Sequence, residues 1–175
     1  MILLGIAIVG LTIYGYFTSS LPAPFPARNR APAETMPSSA TNQLPQVQAD
    51  RPFTYGSVLY SLGDTSRAEE VRGSGVSHKA GGVFLLINLT LTNQGKEPVI
   101  LEPSDFTLID GQGREFSIHQ SASRTAAVVN AKADIFSEAL QPGIPVNGVL
   151  VFDVPKQATG LVLRISKGYL DVKLD

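Results

Sequence analysis

Two histidines are the first residues to test for chemistry. His78 and His119 stand forty-one residues apart, and zinc needs at least three protein ligands at tight geometry. Asp110 and Glu115 come within reach of His119 if a hairpin closes between them, but no spacing fixes a third ligand. Asp105, Asp110 and Gln112 are oxygen donors of the type calcium takes. The string Asp110-Gly111-Gln112-Gly113 nevertheless lacks the alternating acids of a calcium loop, and its glycines account for it as a turn. Gly73-Ser74-Gly75, with His78 and Glu69 or Glu70 nearby, has the residue types of a serine hydrolase. No strand leads into it, and a polar Gly-rich loop cannot hold a triad rigid. Arg67, Glu69, Glu70 and Arg72 mix their signs as a hydrated surface does. Asn88-Leu89-Thr90 matches the glycosylation triplet but falls mid-strand, where a structural asparagine on the sheet surface is the plainer account. The expectation is of no catalytic, cofactor-binding or metal-ligating residue, and of a protein that is not an enzyme.

Composition narrows the classes further. The chain carries 14 Lys and Arg against 15 Asp and Glu and no cysteine. Without clustered basic residues there is no surface to meet phosphates, so no nucleic-acid partner is expected. Absence of cysteine excludes disulfides, thiolate metal sites and a lipid-modified cysteine.

Three segments differ in character. The first seventeen residues, MILLGIAIVGLTIYGYF, carry no charged side chain. Eighteen helical residues span about 27 Å, enough for a bilayer's hydrocarbon core. Residues 1–20 are therefore expected to form a retained transmembrane helix in contact with lipid. A cleaved signal peptide is the competing reading, weakened by the missing basic start and by the distance of Ala31-Pro32-Ala33 from the apolar run. Gly5, Ala7 and Gly10 would let partner helices approach, and Tyr14, Tyr16 and Phe17 suit an interfacial belt. Arg28 and Arg30 weigh, by two charges, for a cytoplasmic C-terminal side. Residues 21–50 hold six prolines, from Pro22 to Pro45, and read as a semi-rigid spacer or a segment lying in a partner's groove.

Residues 51–175 read as one folded unit. From Val83 to Thr92 the chain alternates, with Val83, Leu85, Ile87, Leu89 and Leu91 on one face. Phe84 and Leu86 fall on the otherwise polar face, which predicts cover on both sides there. Further strands are expected at 53–62, 99–101, 104–109, 114–118, 146–154, 161–165 and 170–174. That count suggests a two-sheet sandwich whose core includes Phe106, Leu108, Phe152, Leu163 and Ile165. Asn130, followed by Phe136 and Leu140 four apart, predicts a short helix over 130–140 crossing one end. Residues 64–82 read as a mobile loop or a polar hairpin.

The strand–turn–strand FLLINLTLTNQGKEPVIL, the hairpin SDFTLIDGQGREF and the stretch LQPGIPVNGVLVFDVP, in this order, resemble the DUF4352 domains of bacteria and archaea. The resemblance implies a telokin-like, immunoglobulin-like fold of surface or secreted proteins. It implies an extracytoplasmic domain, which overrides the two-arginine argument, and it brings no catalytic residues. Asn93, Gly95, Asp105, Gly111, Gly113, Pro142 and Gly143 are then turn-makers. The fold class is all-β: a two-sheet sandwich with a short helix at one end, preceded by an N-terminal transmembrane helix and a Pro-rich linker.

The leading functional expectation is a non-enzymatic, membrane-anchored, extracytoplasmic protein-interaction or structural module, single-pass in the cytoplasmic membrane. Two alternatives stand beside it. One is an accessory subunit of a multi-subunit membrane complex, and the other a binding module for a peptide, glycan or small ligand. The last would need a concave aromatic patch, for which Tyr55, Tyr60 and Tyr169 are the donors.

Overall fold

The computed structural model describes residues 46–73, 75–165 and 170–174. Among these residues nine strands make two sheets: β1 (Gln46–Gln48), β2 (Phe53–Tyr55), β3 (Val58–Gly73), β4 (Val76–Asn93), β5 (Phe106–Ile109), β6 (Glu115–Ser117), β7 (Pro145–Val154), β8 (Val162–Ile165) and β9 (Leu170–Lys173). One helix, α1 (Gln120–Val129), lies between β6 and β7, and a 3-10 turn (Pro103–Asp105) precedes β5. The five-stranded sheet runs β1-β9-β8-β5-β6 and the four-stranded sheet β2-β3-β4-β7. This is an all-β two-sheet sandwich with a short helix.

The period-2 pattern of β4 sets its register. Leu85, Ile87, Leu89 and Leu91 face the core and pair across the ladder with Phe152, Leu150, Gly148 and Val146 of β7. Phe106, Leu108, Leu163 and Ile165 close the core from the opposite sheet. Phe84 and Leu86 point to the outer face, where α1 covers them with Ala122, Ala126 and Ala127 to form a second, smaller apolar cluster.

The start of α1 also seals the free edge of β7. His119 N–H donates to the Val151 carbonyl at 2.7 Å, and Ser123 Oγ accepts from Val151 N–H at 3.0 Å. An unpaired edge strand invites pairing with other chains. At the opposite edge β2 covers only Val58–Tyr60 of β3; beyond it β3 carries Asp64, Arg67, Glu69 and Arg72 and is interrupted by register shifts between Leu62 and Thr65 and between Ala68 and Glu70. Charges and bulges blunt an edge in the same way.

Several expectations change here. The helix sits at 120–129, not 130–140. Asn130 ends it as C-cap, and its Nδ2 donates back to the Ala126 carbonyl at 2.7 Å. Of the two readings for residues 64–82, a mobile loop or a polar hairpin, the second holds: the described residues there are the two long arms of the β3–β4 hairpin. Gln46–Gln48, assigned by composition to the spacer, pairs in parallel with β9, and Val47 packs against the core.

The membrane reading is corrected. Among the described residues no helix is long and apolar enough to cross a membrane. Helix α1, at 10 residues, would reach about 15 Å against a hydrocarbon core of about 30 Å. Residues 1–20 themselves lie outside the described residues, as does most of 21–50. The transmembrane helix, lipid contact through residues 1–20, the single-pass location and the protein partner beside it have no support in the structure.

Candidate functional site

The fold brings His78 and His119 together under α1. Their rings sit 5.8 Å apart, edge to face, and Phe84 meets the His119 ring at 5.2 Å. Each imidazole already has a structural task. His119 is the N-cap of α1, with Nδ1 accepting the Ala122 N–H at 3.2 Å. His78 Nε2 shares a hydrogen bond with Thr125 Oγ1 at 3.1 Å. An Nδ1 that accepts a hydrogen bond leaves the His119 proton on Nε2, where a metal would have to displace it and make an imidazolate. The histidine pair is a brace between hairpin and helix, and among the described residues no carboxylate joins it. Among the described residues no group of three His, Cys, Asp or Glu is placed to hold a metal ion.

The acids singled out from the sequence are each committed elsewhere. Asp105 accepts from Glu102 N–H at 2.9 Å in the turn before β5. Asp110, buried at 4% exposure, accepts from Gln112 N–H and Arg114 N–H at 3.0 Å each and from Arg114 Nε at 2.7 Å. Burial pushes its carboxyl up, but Arg114's guanidinium and these two N–H groups outweigh that and hold the pKa below the ordinary aspartate value. Glu115 reaches Arg164 at 3.4 Å. Glu69 pairs with Lys156 at 2.6 Å. Glu70 is taken up by the Arg72 guanidinium and the Ser77 hydroxyl, which hold its carboxyl down to about 2. Ser74 lies outside the described residues.

Among the described residues the aromatic patch does not assemble. Tyr60 is a core residue stacked on Phe53 at 5.4 Å, Tyr55 packs half-buried against the core, and Tyr169 lies outside the described residues.

A different site forms on the outer face of the four-stranded sheet, beside the C-terminal end of α1. Asn88 and Thr90 of β4 point outward there, next to Asn147 of β7, and Thr90 Oγ1 donates to Asn147 Oδ1 at 2.7 Å. Where β3 bulges, Ser61–Gly63 forms one wall, and residues 130–132 form the other. The hollow between them measures about 260 Å³. Asn88 bridges it, with Nδ2 donating to the Asp64 carbonyl at 3.0 Å and Oδ1 accepting from Lys132 Nζ.

The Lys132 wall owes its position to how α1 stops. Lys132 N–H donates to the Ala127 carbonyl at 2.8 Å and Ala131 N–H to the Val128 carbonyl at 3.2 Å. This pair of bonds closes a helix through a left-handed residue, usually glycine. Here that residue is Ala131, at φ 52°. An L side chain in this conformation costs roughly 1–2 kcal/mol. Ala131→Gly is therefore expected to raise unfolding stability by about 1 kcal/mol, measured by urea titration. A loss of stability would show that Ala131 is not strained. Strain of this kind concentrates at functional sites, as do bulges, and the hollow lies between one of each.

Sequence reasoning missed this groove because its residues come from four separate stretches with no common spacing. The one available signal was Asn88 and Thr90 on the polar face of a strand whose neighbours Phe84 and Leu86 already demanded a cover.

Among curated proteins none matches the chain. Solved structures do match in fold. A conserved hypothetical protein from Bacillus anthracis aligns at TM-score 0.58 with 13% identity, over 72% of this chain and 93% of that one. An uncharacterized β-sandwich protein from Clostridium difficile gives 0.52 and 11%, over 80% and 100%. A secreted protein from Mycobacterium tuberculosis gives 0.50 and 13%, over 76% and 98%. At these identities the likeness speaks for the sandwich alone. Residues 47–173, from β1 to β9, match the family described as a domain of unknown function, DUF4352, and the chain belongs to that family.

Proposed function

We propose that this chain is a non-enzymatic binding module that takes a small polar ligand, rich in hydroxyl or amide groups, in the groove on the outer face of the four-stranded sheet. The observation that carries the reading is the convergence of Asn88, Thr90, Asn147 and Lys132 on one hollow of about 260 Å³. Amides, a hydroxyl and an ammonium offer donors and acceptors together, which is what a polyol or an amide requires. A ligand pocket needs a few convergent polar groups on a rigid support, and here β4 and β7 pair without interruption from Val83 to Thr92. Among the described residues the committed acids and the histidine brace leave no nucleophile and base in mutual reach, so binding rather than turnover is the proposed activity.

The test is a titration of the isotope-labelled protein with glucose and with N-acetylglucosamine, followed by amide chemical shifts. The expected changes are confined to residues 61–63, 88–90, 130–132 and 147, and Asn147→Ala removes them. Shifts elsewhere, or none at tens of millimolar of any sugar, neutral or acidic, would refute the reading.

A further inference from the structure

We propose that the ligand of this groove carries one anionic group, a carboxylate or a phosphate, beside its hydroxyls, and that Lys132 reads it. This rests on the binding role proposed above and adds its charge. Lys132 is half-buried, and its ammonium is held over the hollow by a neutral partner, the Asn88 amide oxygen. Among the described residues no carboxylate lies within ion-pair distance of it. The nearest acid in sequence, Asp134, is occupied by Arg124 Nε at 3.0 Å.

The C-terminal end of α1 does not neutralise the ammonium either. A helix C-terminus attracts cations through its unsatisfied carbonyls. Here the Ala126, Ala127 and Val128 carbonyls accept from the N–H groups of Asn130, Lys132 and Ala131, and Asn130 Nδ2 takes the Ala126 oxygen as well. Lys132 is thus fixed by backbone at one end and by an amide at the other, with its charge open to the groove. Partial burial keeps that charge from being screened as a free surface lysine is. The neighbouring Thr90 and Asn147 present neutral hydrogen-bonding groups suited to the rest of such a ligand.

The experiment compares glucose with glucuronate, which differs only by a carboxylate at C6, and with glucose 6-phosphate, by amide-shift titration. At least one acid is expected to bind about tenfold tighter than glucose, since a charged hydrogen bond contributes more than a neutral one. The tighter of the two names the anion. Lys132→Gln should abolish the preference, so that both acids bind that variant no tighter than glucose binds it, and Lys132→Arg should retain the preference. Raising salt to about 0.5 M should narrow the gap. Glucose binding the groove as tightly as both acids would overturn the anionic inference and leave the binding role standing. An acid preference that survives Lys132→Gln would overturn the assignment to Lys132. Failure of all three sugars to move the groove amides would sink the binding role and the inference with it.

Discussion

Truncation of Phe152 to alanine is expected to cost about 3–5 kcal/mol of unfolding free energy. Phe152 is fully buried, at 0% exposure. It lies opposite Leu85 on β4 and is bridged on its other side to Ile118, just past β6. The ring therefore fills the core where the two sheets meet at the edge, and neither sheet can collapse into the space without breaking its own ladder. Loss comes from the transfer of the removed atoms and from the cavity left behind. Domains of this size hold roughly 5–15 kcal/mol in all, so Phe152→Ala is near the limit of folding. Phe152→Leu, with a smaller expected loss of about 1–2 kcal/mol, keeps the measurement possible. Urea unfolding of both gives the answer, and a loss below about 1 kcal/mol for the alanine variant would mean that the core does not depend on this ring.

Phe152 belongs to the part of the fold legible in the sequence. Alternation along 83–92 and the apolar run 146–154 state which residues face inward, because period 2 allows only one register that buries them all. What sequence reading lost was local in one case and distant in another. Helix α1 covers its sheet with Ala122, Ser123, Ala126 and Ala127. Small residues give little apolar contrast against their neighbours, so the periodic stripe is faint. Asn130 carries no direction of its own: it caps either end of a helix, and the stronger pair Phe136 and Leu140 drew the helix to the wrong side of it. Those two residues pack onto the core from a turn instead, Leu140 buried and Phe136 half-buried. Phe136 packs edge to face on Phe106 at 6.0 Å, and Leu140 bridges to Val99. Strand β1 pairs with β9, more than a hundred residues away, and no local pattern announces a partner that remote. The groove is of the same kind, since the three asparagines that line it meet only after β4, β7 and α1 have packed.

Gly82 in β4 shows a constraint that alternation does not reveal, and Gly82→Ala is expected to destabilise the protein by about 3 kcal/mol. Between Ala68 and Glu70 of β3 the ladder shifts, and Ala80–Val83 of β4 lose their partners there. The N–H groups of Gly81 and Gly82 turn instead to Asp153 of β7, whose carboxylate accepts them at 2.6 and 3.0 Å. The half-buried Gly82 donor must find such an acceptor, and the chain has to come close to β7 to reach it. A Cβ on Gly82 would meet the Val154 carbonyl oxygen and lie 3.1 Å from Pro155 Cα. Both are backbone atoms, so relief requires β7 to move away from β4, which strains the Val83–Val154 pair beside it. Gly81 is the internal control. A Cβ there would lie 3.3 Å from Asp153 Oδ2, the far end of a side chain that can shift, and Gly81→Ala should cost less than about 1 kcal/mol. Thermal and urea unfolding of the two variants separates the cases. Equal losses at both positions would show that the effect is a general cost of replacing glycine in this strand, and that the close approach of β4 to Val154 is not what Gly82 serves.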